Sequence, residues 1–308
     1  MNQSTHTFEM SDGVQVAARI YAPTGEGKGH IHLLHGMAEH QKRYEGFATL
    51  LTEAGYYVSS HDHRGHGDTA ELNGQLYGYF ADEDGFTRVV QDVDEVLQAV
   101  QAQIGAHPIT LFGHSMGSFI ARRYTQLYSE KLARAIYCGT GTTTLLHMAG
   151  AQLATLLVKT KGAKTPSHLM NNLSFGSFNK GIKNALTDFD WLCSDEKEVK
   201  KYIDDPQCGF VSTNQFFVDL TSGLVEIAKQ KEIARIRKDI PILLIAGSDD
   251  PVGNYGKGIY QVANSLTKAG IENVSVYLFE EMRHEILNEK NKQQVYDVVT
   301  RWIENERL

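Results

Sequence analysis

Cysteine, positive charge and long apolar segments are scarce in this chain of 308 residues. Its three cysteines, Cys138, Cys193 and Cys208, are odd in number and widely spaced, which is typical of free thiols in a reducing compartment. Lys and Arg number 30 and Asp and Glu 37, so the formal net charge is −7 and we expect no nucleic-acid partner. No apolar run reaches the ~18 residues of a membrane span, and the N-terminus has no secretory pattern. These absences predict a cytoplasmic protein with a small-molecule partner, and they leave the oligomeric state open.

Short apolar segments alternate with helical patterns along most of the chain. Residues 14–21 alternate after a Ser-Asp-Gly turn, which predicts an opening hairpin. Brief apolar runs bounded by Gly, Pro or polar residues predict buried strands at 30–34, 56–60, 109–113, 133–138, 242–247 and 273–279. Helical apolar spacing covers 44–54, 86–103, 115–128, 257–268 and 293–306. This order predicts an α/β fold, a mostly parallel central sheet with helices on both faces.

One region interrupts the alternation. Residues 142–233 contain no convincing strand, although 145–158 and 215–228 carry helical apolar spacing. An insertion of this length between two strands is expected to lie over the sheet edge where strands end and ligands bind. The sequence therefore predicts a core of residues 1–141 and 234–308 with an inserted, mainly helical cap, or lid, of residues 142–233.

A serine between glycines follows one of the predicted strands directly. Gly113-His114-Ser115-Met116-Gly117 fits the pattern G-x-S-x-G, with a strand before it and a helical pattern after it. Such a turn exposes the hydroxyl, and the helix N-terminus directs free backbone N–H groups toward developing negative charge. This placement favours a nucleophilic serine over the alternative, a small-residue turn in which Ser115 only caps the helix.

A nucleophile at such a turn requires an acid and then a histidine later in the chain. His284 is the only histidine beyond residue 168, and it follows the last predicted strand. Asp249 and Asp250 follow the strand 242–247, and Pro251 restricts the backbone of Asp250. We therefore predict a triad of Ser115, Asp250 and His284, with Asp249 as a capping or solvated neighbour. Because neutral imidazole is the base, activity should rise with an apparent pKa of about 6 to 7.

The oxyanion donors are expected at two strand ends. His35-Gly36-Met37 follows the strand 30–34, and Met116 follows the serine. The backbone N–H groups of Met37 and Met116 are the predicted donors, and the alternative for Met37 is a methionine that only packs in the core.

Histidines also crowd the segment His61-Asp62-His63-Arg64-Gly65-His66-Gly67. A dinuclear metal site of the H-x-H-x-D-H type requires an acid where Gly65 stands. We therefore predict no metal and no cofactor, and we expect a loop whose imidazoles and guanidinium bind nearby backbone groups.

Five segments together resemble the monoacylglycerol lipase and lysophospholipase branch of the α/β-hydrolase family. They are HGMAEH at 35–40, HDHRGHG at 61–67, GHSMG at 113–117, GSDDPV at 247–252 and the late His284. The resemblance implies the α/β-hydrolase fold, Ser115 as nucleophile, Asp250 as orienting acid, His284 as base, and Met37 with Met116 as the oxyanion pair. The chain departs from the family pattern at Ser118, where a second glycine is common.

The resemblance implies a serine hydrolase that cleaves carboxylic esters of lipid-like substrates, a monoacylglycerol or a lysophospholipid, through an acyl-enzyme. A short-chain carboxylesterase or thioesterase is the alternative enzyme, and a hydrolase-fold binding protein or sensor is the alternative of another class. Transient contact of the cap with lipid aggregates is expected. Apolar residues of the insertion are predicted either to line an acyl pocket or to pack the lid onto the core; they include Leu145, Met148, Leu153, Phe216 and Phe217.

Overall fold

A single sheet organises the protein. The computed structural model describes residues 2–143 and 145–305, apart from the side chains of residues 145 and 146. The strands of this part are β1 (Asn2–Glu9), β2 (Gln15–Ala22), β3 (His30–Leu34), β4 (Tyr57–His61), β5 (Ile109–His114), β6 (Arg134–Cys138), β7 (Ile242–Gly247) and β8 (Val274–Phe279). Their order in the sheet is β1-β2-β4-β3-β5-β6-β7-β8.

Most strand pairs are parallel, as predicted. The hairpin of β1 and β2 is antiparallel, β2 also pairs antiparallel with β4, and the remaining neighbours run parallel. The strands predicted between residues 30 and 279 lie within one residue of the observed bounds. Parallel strands that are covered on both faces have continuous apolar runs, which is why these segments can be located from sequence.

The helices of the described residues follow the strands in alternation. They are α1 (Glu45–Glu53), α2 (Gly67–Leu72), α3 (Gly85–Ile104), α4 (Met116–Tyr128), α5 (Leu145–Lys161), α6 (His168–Phe175), α7 (Glu196–Asp204), α8 (Asn214–Ile227), α9 (Gln230–Ile233), α10 (Lys257–Lys268) and α11 (Lys292–Ile303). Short 3₁₀ turns lie at Gln41–Tyr44, Ser129–Lys131 and Phe178–Gly181.

Apolar side chains of the strands point to both faces of the sheet and pack there against helices. Leu111 of β5 packs in one core cluster with residues of α3, α4, α8 and α10. The next residue, Phe112, packs in a second cluster with residues of α1 and α11. Because successive side chains of a strand point to opposite faces, a continuous apolar strand requires helices on both sides. The fold is therefore a three-layer α/β arrangement.

The segment between β6 and β7 is helical in its described part. Helices α5 and α8 begin within one residue of the predicted positions 145 and 215. Residues 142–143 and 145–233 add no strand to the sheet and contribute only the isolated bridge between Pro166 and Thr213. Helix α8 packs against α3 and α4, so this helix of the segment lies on the core.

Several short helices and one helix end differ from the sequence prediction. The apolar spacing does not indicate α2, α6 and α9, because six, eight and four residues hold too few apolar repeats to show a period. Helix α11 ends at Ile303 and not at residue 306, and Asn305 has a φ of 60°. Within residues 2–143 and 145–305, every helix is too short or too polar to cross a bilayer.

Candidate active site

Ser115 occupies a strained turn between β5 and α4. Its φ is 52° and its ψ −119°, a conformation that residues with a side chain seldom adopt. The N–H of Ser115 donates to Cys138 O at the end of β6 over 2.9 Å. Its carbonyl accepts from Ser118 N at 2.8 Å and from Ser118 Oγ at 2.6 Å. Both backbone groups of Ser115 are thus held, which is the condition under which such strain persists.

The glycines of the turn allow backbones to approach closely. A Cβ atom on Gly117 would lie 2.3 Å from Leu34 O of β3, and one on Gly113 would lie 2.2 Å from Gly117 O. Any larger residue at these two positions would push α4 away from the sheet. Ser118, where the family pattern commonly has glycine, is fully buried and fits because its hydroxyl binds the carbonyl of Ser115.

His284 and Asp250 meet behind the turn. His284 Nδ1 lies 3.0 Å from Asp250 Oδ2, and both side chains are buried. Asp250 Oδ1 accepts a hydrogen bond from Val252 N at 2.8 Å, so the second oxygen of the carboxylate is left for the imidazole. Asp249 is exposed, and its Oδ1 accepts from Ser248 Oγ at 3.0 Å. The carboxylate beside His284 is therefore that of Asp250.

The surroundings of His284 favour its protonated form. Burial lowers the pKa of this imidazole, but the carboxylate of Asp250, helped by those of Glu285 and Glu39, raises the pKa above its ordinary value of 6.5. The ring of His114 lies 4.7 Å from that of His284, centroid to centroid. Burial lowers the pKa of His114 to about 3, so this neighbour stays neutral and adds no positive charge.

A buried ion cluster connects the loops on either side of the site. Arg43 Nη1 lies 2.6 Å from both Glu39 Oε2 and Glu285 Oε1. Burial raises the pKa of Glu285, but the guanidinium of Arg43, together with Asn288 and His114, lowers it to about 2. This cluster was not predicted from the sequence, where its only signal is that Glu39 and Glu285 lie close to the predicted site residues Met37 and His284. Removing Arg43 would leave two buried carboxylates without a counterion, which is costly.

The predicted oxyanion residues adjoin Ser115. Met116 begins α4, so its N–H is one of the N-terminal groups that have no acceptor inside the helix. Met37 lies in the loop after β3, where Gly36 N donates to Glu39 Oε1 at 2.6 Å. Met37 and Ser115 line the same cavity. The side chain of Met37 also packs partly on the core, as the alternative for this residue predicts, and its N–H stays a predicted oxyanion donor.

The cavity holds Ser115 and His284 together and has a volume of about 340 Å³. Its remaining lining is amphipathic and comes largely from the segment between β6 and β7. The amide and aromatic residues of this lining are Asn171, Asn172, Asn179, Phe175, Phe189, Trp191 and Phe210. This segment contacts the loop that carries His284 directly, since Glu285 N donates to Leu192 O at 2.6 Å.

The predicted acyl-pocket residues lie elsewhere. Phe216 and Phe217 belong to α8 and are fully buried in the first core cluster. Leu153 packs against that cluster. Met148 is half exposed to solvent. Among the described side chains, these four do not line the cavity that contains Ser115. Leu145 begins α5, and its side chain lies outside the described part. The prediction is thus corrected for these four residues, because helical spacing alone cannot separate a pocket wall from core packing.

The histidine-rich loop after β4 is a structural cluster. His63 N donates to His35 Nε2 at 3.0 Å, and His66 Nδ1 lies 2.9 Å from Arg64 O, as expected for contacts with local backbone. The guanidinium of Arg64 was predicted to bind backbone groups as well. It pairs instead with the carboxylates of Asp92 and Asp12.

One group of potential metal ligands occurs beside the site. His40, Asp205 and Cys208 bring three ligand atoms within 4.8 Å of one another. His40 Nε2 already lies 2.9 Å from Asp205 Oδ2 as a hydrogen-bonded pair between core and cap. Burial raises the pKa of the Cys208 thiol, which disfavours the thiolate that a metal requires. These residues therefore fit a cap contact better than a metal centre.

A mostly parallel sheet that presents a strained serine at the turn after β5 defines an α/β-hydrolase. The family model Hydrolase_4, described as "Serine aminopeptidase, S33", matches residues 25–291. The chain belongs to this family.

Similar proteins cover nearly the whole chain. Monoacylglycerol lipase of Mycolicibacterium smegmatis is 25% identical over 98% of this chain and 97% of its own length. Monoglyceride lipase of Homo sapiens is 28% identical over 87% of this chain and 79% of its own length. The crystal structure of a highly thermostable carboxyl esterase from Bacillus coagulans, in complex with glycerol, superposes with a TM-score of 0.92 at 29% identity, covering 99% of each chain.

The raised pKa of His284 sets the expected pH profile. If neutral imidazole accepts the serine proton, kcat/KM falls as pH drops through the pKa of His284, so the acid limb should lie above pH 6.5. The measurement is kcat/KM for a water-soluble ester from pH 5 to 9. His6→Gln, on edge strand β1, is the matched histidine control and should keep the wild-type limb. A rate that is flat from pH 5 to 8 would contradict this role for His284.

Proposed function

We propose that the protein hydrolyses carboxylic esters of lipid-like alcohols, a monoacylglycerol or a lysophospholipid, through an acyl-enzyme on Ser115. His284 Nε2 takes the proton of Ser115 Oγ as this oxygen attacks the ester carbonyl. The same imidazole then protonates the departing alcohol. Water, deprotonated by His284, attacks the acyl-enzyme and releases the fatty acid and the free serine.

One observation carries the proposal: Ser115 and His284 open into the same cavity, and the carboxylate of Asp250 lies 3.0 Å behind the imidazole. Asp250 fixes the tautomer in which Nδ1 carries the proton and Nε2 is free to act as base. The backbone N–H groups of Met37 and Met116 are proposed to bind the oxyanion. Each such donor contributes ~3 kcal/mol when it is already aligned with the developing charge.

The lining of the cavity supports an amphipathic substrate. Amide side chains such as Asn171 and Asn172 can bind alcohol hydroxyls, and aromatic rings such as Phe175 and Trp191 can contact an acyl chain. The relatives named monoacylglycerol or monoglyceride lipase act on esters of glycerol by their names, and the similar esterase structure contains glycerol. A glycerol ester is therefore the first substrate to test.

A short-chain carboxylesterase is the second candidate. The cavity, at about 340 Å³, lies near the lower end of the size range of small-molecule sites. The similar carboxyl esterase structure is consistent with this candidate. Acyl-chain preference decides between the two.

The cap, proposed as residues 142–233, is suited to contact lipid aggregates. Helix α6 exposes Leu173 and Leu169, which lie one turn apart and are 62% and 48% exposed. The same helix turns Asn172 and Phe175 toward the cavity. An apolar surface next to the cavity would let the enzyme take substrate directly from a lipid surface. A cytoplasmic location is also proposed, supported by the three free cysteines.

Replacing the nucleophile should abolish turnover. Ser115→Ala is expected to lower kcat by ~10⁴-fold or more, because no other group supplies the attacking oxygen within the triad. Initial rates on a soluble ester measure this, with Ser265→Ala in α10, whose hydroxyl binds Gln261 O of its own helix, as the matched control expected at the wild-type rate. Near-normal turnover by Ser115→Ala would reject the proposed mechanism.

Acyl-chain length should control specificity. Each methylene buried in the cavity adds up to ~0.8 kcal/mol, so kcat/KM should rise by as much as about 4-fold per methylene until the cavity is filled. The measurement is kcat/KM for monoacylglycerols from acetyl to dodecanoyl, with lysophospholipids of equal chain length in parallel. A preference for acetyl esters would replace the lipid proposal with the short-chain carboxylesterase.

The exposed leucines of α6 should act only at lipid surfaces. The double variant Leu169→Ser/Leu173→Ser should lose ~10-fold or more in vesicle binding and in turnover of aggregated substrate, because less apolar surface enters the lipid. Hydrolysis of a monomeric soluble ester should change by less than about 2-fold, since neither leucine lines the cavity. Leu72→Ser/Leu76→Ser, with equally spaced leucines that are 53% and 50% exposed, is the control. Equal vesicle binding by both double variants would contradict a lipid-contacting cap.

A further inference from the structure

The loop that carries Met37 has a strained backbone next to its proposed donor. Ala38 has a φ of 53°, in the left-handed region that alanine disfavours. A residue keeps such a conformation only when its surroundings hold it. The contacts of Ala38 therefore help to fix the backbone of the loop that carries the neighbouring Met37 N–H.

The carbonyl of Ala38 is held from the cap. Tyr202 Oη donates to Ala38 O at 2.9 Å, and Gly209 N donates to the same oxygen at 2.9 Å. Tyr202 lies in α7, and Gly209 follows that helix. Both donors thus come from one short stretch of the segment between β6 and β7, whereas Ala38 belongs to the loop after β3.

The hydroxyl of Tyr202 has a fixed direction. Its ring is buried, with the guanidinium of Arg43 lying 4.9 Å from the ring centroid and the ring of Phe189 at 5.1 Å. On the other side of Met37, Gly36 N donates to Glu39 Oε1 at 2.6 Å. Met37 therefore lies between two anchored positions, one anchored within its own loop and the other by the cap.

We propose that Tyr202 is a positioning residue that aligns the Met37 N–H by holding the carbonyl of Ala38, so that the cap completes the oxyanion hole. This inference rests on the proposed serine hydrolase function. Oxyanion donors are effective because they are aligned before charge develops, and losing one whole donor costs about 10²- to 10³-fold in kcat. Loosening a donor while leaving it present should cost less.

Tyr202→Phe removes only the hydroxyl and tests the inference. We expect kcat per active site to fall about 10-fold and KM to stay within about 2-fold, because the oxyanion forms in the transition state and not in the bound ester. Affinity for an alkylboronic acid, which adds to the serine as a tetrahedral anion, should fall by about the same factor as kcat. Titration with a fluorophosphonate counts the folded active sites in every preparation.

The control is Tyr124→Phe. Tyr124, like Tyr202, is buried. Its hydroxyl donates at 2.9 Å to Asp94 Oδ1 of α3, away from the loop after β3. It should keep the wild-type kcat per active site and the wild-type affinity for the boronic acid, even if the melting temperature falls.

Three outcomes would overturn the inference. They are a wild-type kcat and boronic acid affinity in Tyr202→Phe, a higher KM at unchanged kcat, and losses of the same size in Tyr124→Phe. The activity of Ser115→Ala distinguishes failure of the positioning role from failure of the proposed hydrolase function. If that variant is inactive while Tyr202→Phe is normal, the positioning role fails and the hydrolase function stands. If Ser115→Ala is active, the proposed function itself fails.

Discussion

The close approach of backbones at the serine turn is the constraint on which the site depends. Ser115 can hold its strained conformation because β6 binds its N–H and Ser118 binds its carbonyl. That arrangement requires α4 to lie against β3, and only glycine at 117 permits the contact, since a Cβ atom there would meet Leu34 O at 2.3 Å. The position of the proposed nucleophile is therefore fixed by the packing of the whole sheet, not by local residues alone.

Buried charges, and hydrogen bonds from the segment between β6 and β7, hold the loops around this turn. The carboxylate of Asp250 stabilises the imidazolium form of His284, which is the form that proton transfer from Ser115 would create. Arg43 joins Glu39, in the loop after β3, to Glu285, next to His284. The segment between β6 and β7 adds hydrogen bonds to Ala38 and Glu285 from α7 and from Leu192. These contacts hold the loop after β3 and the loop after β8. The position of the segment between β6 and β7 and the geometry of the site are therefore linked.

Much of the core could be predicted from sequence, for an identifiable reason. Segments such as 109–113 and 242–247 are buried on both faces, so their apolar runs are continuous and their bounds are clear. Ser115, Asp250 and His284 could be chosen because each follows a predicted strand in the required chain order. Their meeting at one cavity depends on the parallel direction of those strands, which the alternation of strand and helix already implies.

The cap could not be predicted to the same depth. Phe216 and Phe217 have the same helical spacing that a pocket wall would have, but α8 packs them against α3 and α4. The cavity is lined instead by residues near α6 and by the irregular stretch around Trp191, which shows no period. Contacts such as Tyr202 with Ala38 join positions 164 residues apart in sequence, and no local pattern encodes them.

The claim that Ser115 is the reactive group can be measured directly by mass spectrometry after treatment with a fluorophosphonate, whose serine adduct is not hydrolysed by the enzyme. If Ser115 is the nucleophile, one adduct forms per chain, located on the peptide that contains Ser115, with loss of esterase activity in proportion to labelling. An adduct on a different residue, or full esterase activity in a chain labelled at Ser115, would contradict this role of Ser115.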